Sequence, residues 1–117
     1  MRILVADDDK VSCQLLTEVL EAKGHQVEWT TDALEGYRKS TTERFDLFIF
    51  DVRMPLILGT EMAEALREQQ PASKIILISA FADEVLRTFA ASRGLPLLSK
   101  PFSTDDLLQV VRKTIDG

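Results

Sequence analysis

Five times along this chain a short apolar run gives way to a longer stretch in which apolar residues recur every three or four positions. Ile3-Leu4-Val5-Ala6 is a continuous run, as expected of a strand covered on both faces. From Lys10 to Lys23 the apolar residues fall at Val11, Leu15, Leu16, Val19 and Leu20, a helical stripe closed by Gly24. "HQVEWTT" alternates Val27 and Trp29 with polar neighbours and reads as a second strand nearer an edge. Asp32 then caps a weaker helix with Ala33, Leu34 and Tyr37.

Leu47 to Phe50 reads as the third strand, followed by a loop through Pro55 and Gly59. Met62, Ala63 and Leu66 mark a third helix that stops before Pro71. "KIILIS" (74–79) and "DEVLRTFAASRG" (83–94) supply the fourth pair, and "LPLLS" leads into Lys100-Pro101 and the last helix. That helix opens with Ser103 and Asp106 in capping-box positions and carries Leu107, Leu108, Val110, Val111 and Ile115. Strict alternation of strand and helix implies an α/β fold with a parallel sheet and right-handed crossovers. The 117 residues suffice for one core, so a single domain over 1–117 is expected.

The residues that follow the strands carry the chemistry. Asp7, Asp8 and Asp9 follow the first, Asp51 the third, Ser79 ends the fourth, and Lys100 follows the fifth. In a parallel sheet those ends share one rim, where ligands of open α/β sheets bind at the point of strand-order reversal. Alone, Asp51 would be a solvated turn residue beside the apolar run "LFIF"; in this company it is part of a cluster.

Three carboxylates together repel, and a hard divalent cation offsets that. Mg²⁺ favours few protein carboxylates plus water and phosphate oxygens. One cysteine, Cys13, and one histidine, His25, give no soft-metal spacing. Cys13 reads as packing and His25 as a surface turn residue. A lysine and a serine opposite the acids add a fixed positive charge and a hydroxyl donor, which a phosphoryl group needs. The constellation is that of metal-assisted phosphoryl transfer with an aspartate as nucleophile. No P-loop or G-x-G-x-x-G is present for a nucleotide.

Composition excludes other classes. The net charge is −5, with no basic cluster beyond "RKSTTER", so direct nucleic-acid binding is not expected. No apolar run approaches membrane-spanning length, and the apolar start of "MRILVADDDK" is too short for a signal peptide. With its lone cysteine the chain is expected to be cytoplasmic.

Over its whole length the sequence resembles the receiver domain of bacterial two-component response regulators. "ILVADDD" is similar to the acidic pocket opening, "FIFDVRMP…G" to the phosphoacceptor strand and loop, "IILISA" to the hydroxyl-bearing strand, and "SKPF" to the lysine–proline turn. The resemblance implies a flavodoxin-like three-layer (βα)5 fold with a five-stranded parallel sheet in the order 2-1-3-4-5. It implies Asp51 as phosphoacceptor, Asp8 as a direct metal ligand and Asp7 as a ligand largely through water. The Arg53 backbone carbonyl would be a further ligand, for Mg²⁺ or Mn²⁺ in its place. Ser79 would hydrogen-bond the phosphoryl group, Lys100 would pair with it, and the Lys100–Pro101 peptide would be cis. Asp9 is expected to cap the first helix.

Two positions depart from the family pattern. Leu97 stands three residues before the lysine, where an aromatic residue is usual, and the segment from Gly94 to Lys100 is one residue short and carries Pro96. Proline there suits an edge strand.

The function so implied is a phosphorylation-activated switch. A sensor histidine kinase or phosphotransfer protein would donate to Asp51, and the added charge would draw in Ser79 and alter the surface near the fourth helix and fifth strand. The domain would catalyse its own phosphorylation and dephosphorylation without being an enzyme of metabolism. An effector domain following the chain, as in a transcription factor, and a homodimer through the last two elements both stay open. Two alternatives stand beside this reading: a Mg²⁺-dependent small-molecule phosphatase or phosphotransferase, and a receiver-like module that binds partners unphosphorylated. Met54, Leu56, Ile57, Leu58 and Phe81 fall on loops near the rim; one reading is an exposed docking patch, and at least half of them are expected to pack beneath those loops.

Overall fold

Each apolar run becomes a strand and each stripe a helix in the computed structural model, which describes residues 1–117. In chain order these are β1 (Arg2–Ala6), α1 (Lys10–Glu21), β2 (Gln26–Thr30), α2 (Ala33–Thr42) and β3 (Leu47–Asp51). They continue with α3 (Gly59–Gln69), β4 (Ile75–Ser79), α4 (Glu84–Ser92), β5 (Leu97–Ser99) and α5 (Thr104–Asp116). The sheet is wholly parallel, in the order β2-β1-β3-β4-β5.

Successive strand residues point to opposite faces, so the continuous apolar runs build two cores at once. Leu4, Ala6, Phe48, Phe50, Ile75 and Leu77 pack on one side against α2, α3 and α4, through Ala33, Met62, Ala63, Leu66, Leu86 and Ala90. Ile3, Val5, Leu47, Ile49, Ile76 and Ile78 pack on the other against Cys13, Leu16 and Leu20 of α1 and Leu107 and Val111 of α5. Helices therefore cover both faces in three layers. Phe48, fully buried and edge-on to Phe45 with centroids 5.8 Å apart, anchors the first core. Its truncation to alanine would cost about 3–5 kcal/mol.

Four helices start on side chains that satisfy their free N–H groups. Asp9 accepts from Val11 N, Asp32 from Leu34 N and Glu35 N, Asp83 from Leu86 N, and Ser103 from Asp106 N. Only the serine half of the expected box at α5 forms. The third helix begins instead on Leu58, whose N–H is taken by Glu61 Oε1. Gly24 adopts φ +89 just beyond α1, where the chain reverses into β2.

The differences from expectation lie at element ends. The third strand runs one residue further, so Asp51 is its last member, in register with Ile78. The fifth strand is only Leu97–Ser99; Leu95 and Pro96 precede it, with the Pro96 carbonyl accepting from Leu77 N. It lies at the sheet edge, where a neighbouring proline is tolerated. His25, expected on the surface, is half-buried beside the N-terminal amine.

Candidate functional site

The parallel sheet places the reversal of strand order between β1, which leads directly into Asp7, and β3, which ends in Asp51. Side-chain oxygens of Asp7, Asp8 and Asp51 all lie within 4.8 Å of one another. Asp7 and Asp51 are buried and Asp8 is exposed at the mouth. Lys100 reaches in from the turn after β5: its Nζ lies 2.7 Å from Asp7 Oδ2 and 3.8 Å from Asp51 Oδ2. The Lys100 N–H donates to the Ser79 carbonyl at 2.7 Å, which locks that turn to β4, and the Lys100–Pro101 peptide is cis. Ser79 is fully buried, its hydroxyl oxygen accepting from Phe81 N at 3.0 Å. Arg53 lies two residues beyond β3 on the same rim. The structure thus gathers Asp7, Asp8, Asp51, Ser79 and Lys100 as the strand-end argument requires, while Asp9 turns away to cap α1.

Three carboxylates face one ammonium here. Burial pushes the Asp51 carboxyl up to about 7, the charge of Asp7 adds to it, and Lys100 opposes both. Burial pulls the Lys100 ammonium down, but its hydrogen bond to Asp7 and the charges of Asp51, Asp7 and Asp9 outweigh that, and the net shift is upward. The lysine therefore stays charged while the acids around it remain short of positive charge. Hard oxygen donors, close together and under-neutralised, fit a divalent cation such as Mg²⁺. Just beneath, the Cys13 thiol donates to the Asp7 carbonyl, and burial followed by the Asp7 charge pushes it up to about 12. A thiol so held is inert, in keeping with a packing role.

Two residues near the site lacked a decisive signal in the sequence. Gly59 opens α3 so close to β3 that a Cβ there would lie 2.2 Å from the Asp51 carbonyl oxygen. Its N–H donates to the Val52 carbonyl, and together these fix the strand end that carries Asp51. Ser12, on the first turn of α1, lies 3.4 Å from Lys100 Nζ. The loop residues correct one expectation: Met54 is buried and Ile57 half-buried, but Leu56, Leu58 and Phe81 are exposed. Leu56 also holds φ +76, a left-handed conformation that costs a leucine about 1–2 kcal/mol.

Fold and rim together define a doubly wound α/β domain with an acidic pocket at its switch point. Residues 3–112 match the response regulator receiver domain, and the chain belongs to that family. It is 34% identical over 115 residues to the response regulator receiver protein CpdR of Brucella abortus, covering 97% of this chain and 96% of that protein. It is 35% identical over 116 residues to the DNA-binding transcriptional regulator NtrC of Azospirillum brasilense, covering 98% of this chain but 24% of that one. Among solved structures, a CheY-like receiver domain from Methanospirillum hungatei superposes with a TM-score of 0.92 at 32% identity, covering 98% of this chain and 93% of that one. The response regulator TrrA of Thermotoga maritima, solved with Mg²⁺-BeF, gives 0.87 at 32% identity, covering 97% of each chain. The protein is thus a receiver domain of two-component signalling. No helix is long and apolar enough to cross a membrane.

Proposed function

We propose that Asp51 accepts a phosphoryl group from a sensor histidine kinase or phosphotransfer protein, and that the chain acts as a single switch domain over residues 1–117. The observation that carries this reading is the position of the Lys100 amine, between Asp7 and Asp51 on a rim assembled from distant parts of the chain. An Asp51 oxygen attacks phosphorus in line; the P–O bond forms as the P–N bond of phosphohistidine breaks, and the electron pair leaves with the imidazole.

Asp7, Asp8, Asp51 and the Arg53 carbonyl would hold a divalent cation, Mg²⁺ or Mn²⁺, which would supply positive charge for the phosphoryl oxygens. Lys100 carries more than one N–H donor and turns one toward the phosphoryl group. The Ser79 oxygen already accepts from Phe81, which leaves its proton free to be donated. Burial of Asp51 keeps bulk water away from the acyl phosphate, and slow hydrolysis at the same pocket resets the domain. The product carries about −2 charge by analogy with other phosphoresidues. It draws Ser79 inward, and the segment from Ala80 into α4 follows, changing the surface toward β5.

An effector domain C-terminal to this chain fits the longer relatives, and a homodimer through β5 and α5 would serve the same output. The test is mass spectrometry after incubation with acetyl phosphate and Mg²⁺. One phosphoryl adduct is expected on the wild-type chain and none on Asp51→Asn. No adduct on either would favour a partner-binding module that is not phosphorylated, and turnover of a small phosphomonoester would favour a phosphatase.

A further inference from the structure

The end of the sheet opposite the acidic rim carries the reverse charge. A hollow of about 510 Å³ opens there between α3, the turn into β4, the approach to β5 and the end of α5. Arg67, Lys74 and Lys113 reach it from three parts of the fold, and none of the residues lining it is an Asp or Glu. In a chain of net charge −5, a concave surface with three cations and no acid stands apart.

The cations are held but not neutralised. Arg67 Nε donates to the Ser73 carbonyl at 3.0 Å and Nη1 to the Arg93 carbonyl at 3.3 Å, which leaves Nη2 unpartnered. Lys74 Nζ donates to the Ile115 carbonyl on the last turn of α5. Lys113 is exposed, and none of the three forms an ion pair. Neutral carbonyls fix the geometry of a cation without cancelling its charge. Of the acids near them on α3 and α5, Glu64 pairs with Arg93 at 3.2 Å, and Glu68 and Asp116 line neighbouring hollows.

A second observation falls on the same wall. The Ser73 hydroxyl oxygen is buried without a hydrogen-bond partner, and Ser73 lines the hollow. Thr114, on the same wall, donates its hydroxyl to the Val110 carbonyl at 2.7 Å and is satisfied. Buried polar atoms nearly always find partners, so an orphaned hydroxyl beside three cations points to a ligand rich in acceptors. An arginine fork and two ammonium groups suit the oxygens of a phosphate. A duplex nucleic acid or an anionic membrane would have to lie across the acidic surface that surrounds so small a concavity.

We infer that this hollow binds a small phosphate-bearing anion of the pyrophosphate or nucleoside diphosphate class. Arg67, Lys74 and Lys113 supply the charge, and Ser73 supplies a neutral donor. The site is separate from Asp51 and does not depend on its phosphorylation.

The test follows backbone amides by NMR as pyrophosphate, and separately ADP, is added to the full chain in EDTA at constant ionic strength. Without a metal the acidic pocket repels both probes, so binding there does not compete. Saturable shifts are expected at Ser73, Lys74, Lys113 and Thr114. Lys113→Gln and Lys74→Gln should each weaken binding about fivefold or more, and Ser73→Ala about threefold. Lys113 is exposed, and unchanged amide positions elsewhere report that its variant is folded. Tighter binding of ADP assigns the site to a nucleotide, and tighter binding of pyrophosphate to a free polyphosphate. Shifts that do not saturate, or that centre on Lys23 and Arg112 in the neighbouring hollow, would overturn the inference. Equal affinity in the wild type and Lys113→Gln would overturn it as well.

Discussion

Two charged clusters sit on this sheet and differ in their balance. At the N-terminal end of β1, Arg2 pairs with Glu28 and, at 3.1 Å, with Glu43; Lys39 lies 2.9 Å from Glu28 and 3.6 Å from Glu43. Two cations meet two carboxylates near solvent, and Arg2, Lys39 and Glu28 are pushed toward their charged forms. The Lys39 hydrogen bond holds the Glu28 carboxyl below its ordinary value, and Glu28 in turn raises Lys39. At the other end of the same strand, three acids meet one lysine, mostly buried, and Asp51 is pushed the opposite way, to about 7. A neutral network needs nothing further to be stable. An under-neutralised one raises the energy of the isolated domain, a charge deficit in keeping with the cation and phosphoryl site proposed above.

The sharpest way to break that contrast is Asp51→Asn. It should abolish the phosphoryl adduct completely and, by removing one repelling charge, raise the melting temperature of the metal-free protein by roughly 5 °C. An unchanged melting temperature would mean that the three acids do not strain the fold. Mg²⁺ comes next. At a hundredfold excess over its dissociation constant it should stabilise the wild type by about 2.7 kcal/mol. Asp8→Ala should lose most of that gain and Glu28→Gln none, as read by differential scanning fluorimetry.

The two clusters also predict opposite responses to pH. The Asp51 carboxyl starts from 3.8 and is raised to about 7 in the fold. Between those values the folded chain holds a proton that the unfolded chain has released, so stability falls as pH rises through that window and levels off above it. Glu28 is lowered in the fold, so its contribution is present above the unfolded value and is lost as pH falls through the folded one. Urea titrations in EDTA from pH 4 to pH 8 should therefore show a decline in the wild type that Asp51→Asn flattens and Glu28→Gln leaves intact.

How much of this was legible in the sequence follows from the physics of each feature. The fold was legible because continuous apolar runs and helical stripes differ in period, and the strand ends named Asp7, Asp51, Ser79 and Lys100 without any distance. What escaped depends on close approach in three dimensions. Gly59 is an ordinary loop glycine until the Asp51 carbonyl is found pressed against it. The exposure of Leu56, Leu58 and Phe81 was misjudged because apolar residues in loops carry no period to say which way they face. The Arg2–Glu28–Lys39–Glu43 network was likewise invisible, since its members come from β1, β2, α2 and the residue after it.

The smallest effect tests whether the two clusters are independent. Glu28→Gln leaves Arg2 and Lys39 with Glu43 alone, and Arg2 keeps its place over the Phe45 ring at 4.5 Å. For partly exposed pairs the loss should be about 0.2–1 kcal/mol, shrinking as salt is added. Arg2 and Asp7 sit at opposite ends of β1 and share no partner in either cluster. The double variant Glu28→Gln with Asp51→Asn should then show the sum of the single effects to within about 0.5 kcal/mol. A larger discrepancy in urea denaturation would mean that charge at one end of the sheet is felt at the other, and the balanced network would have to be counted as part of the switch.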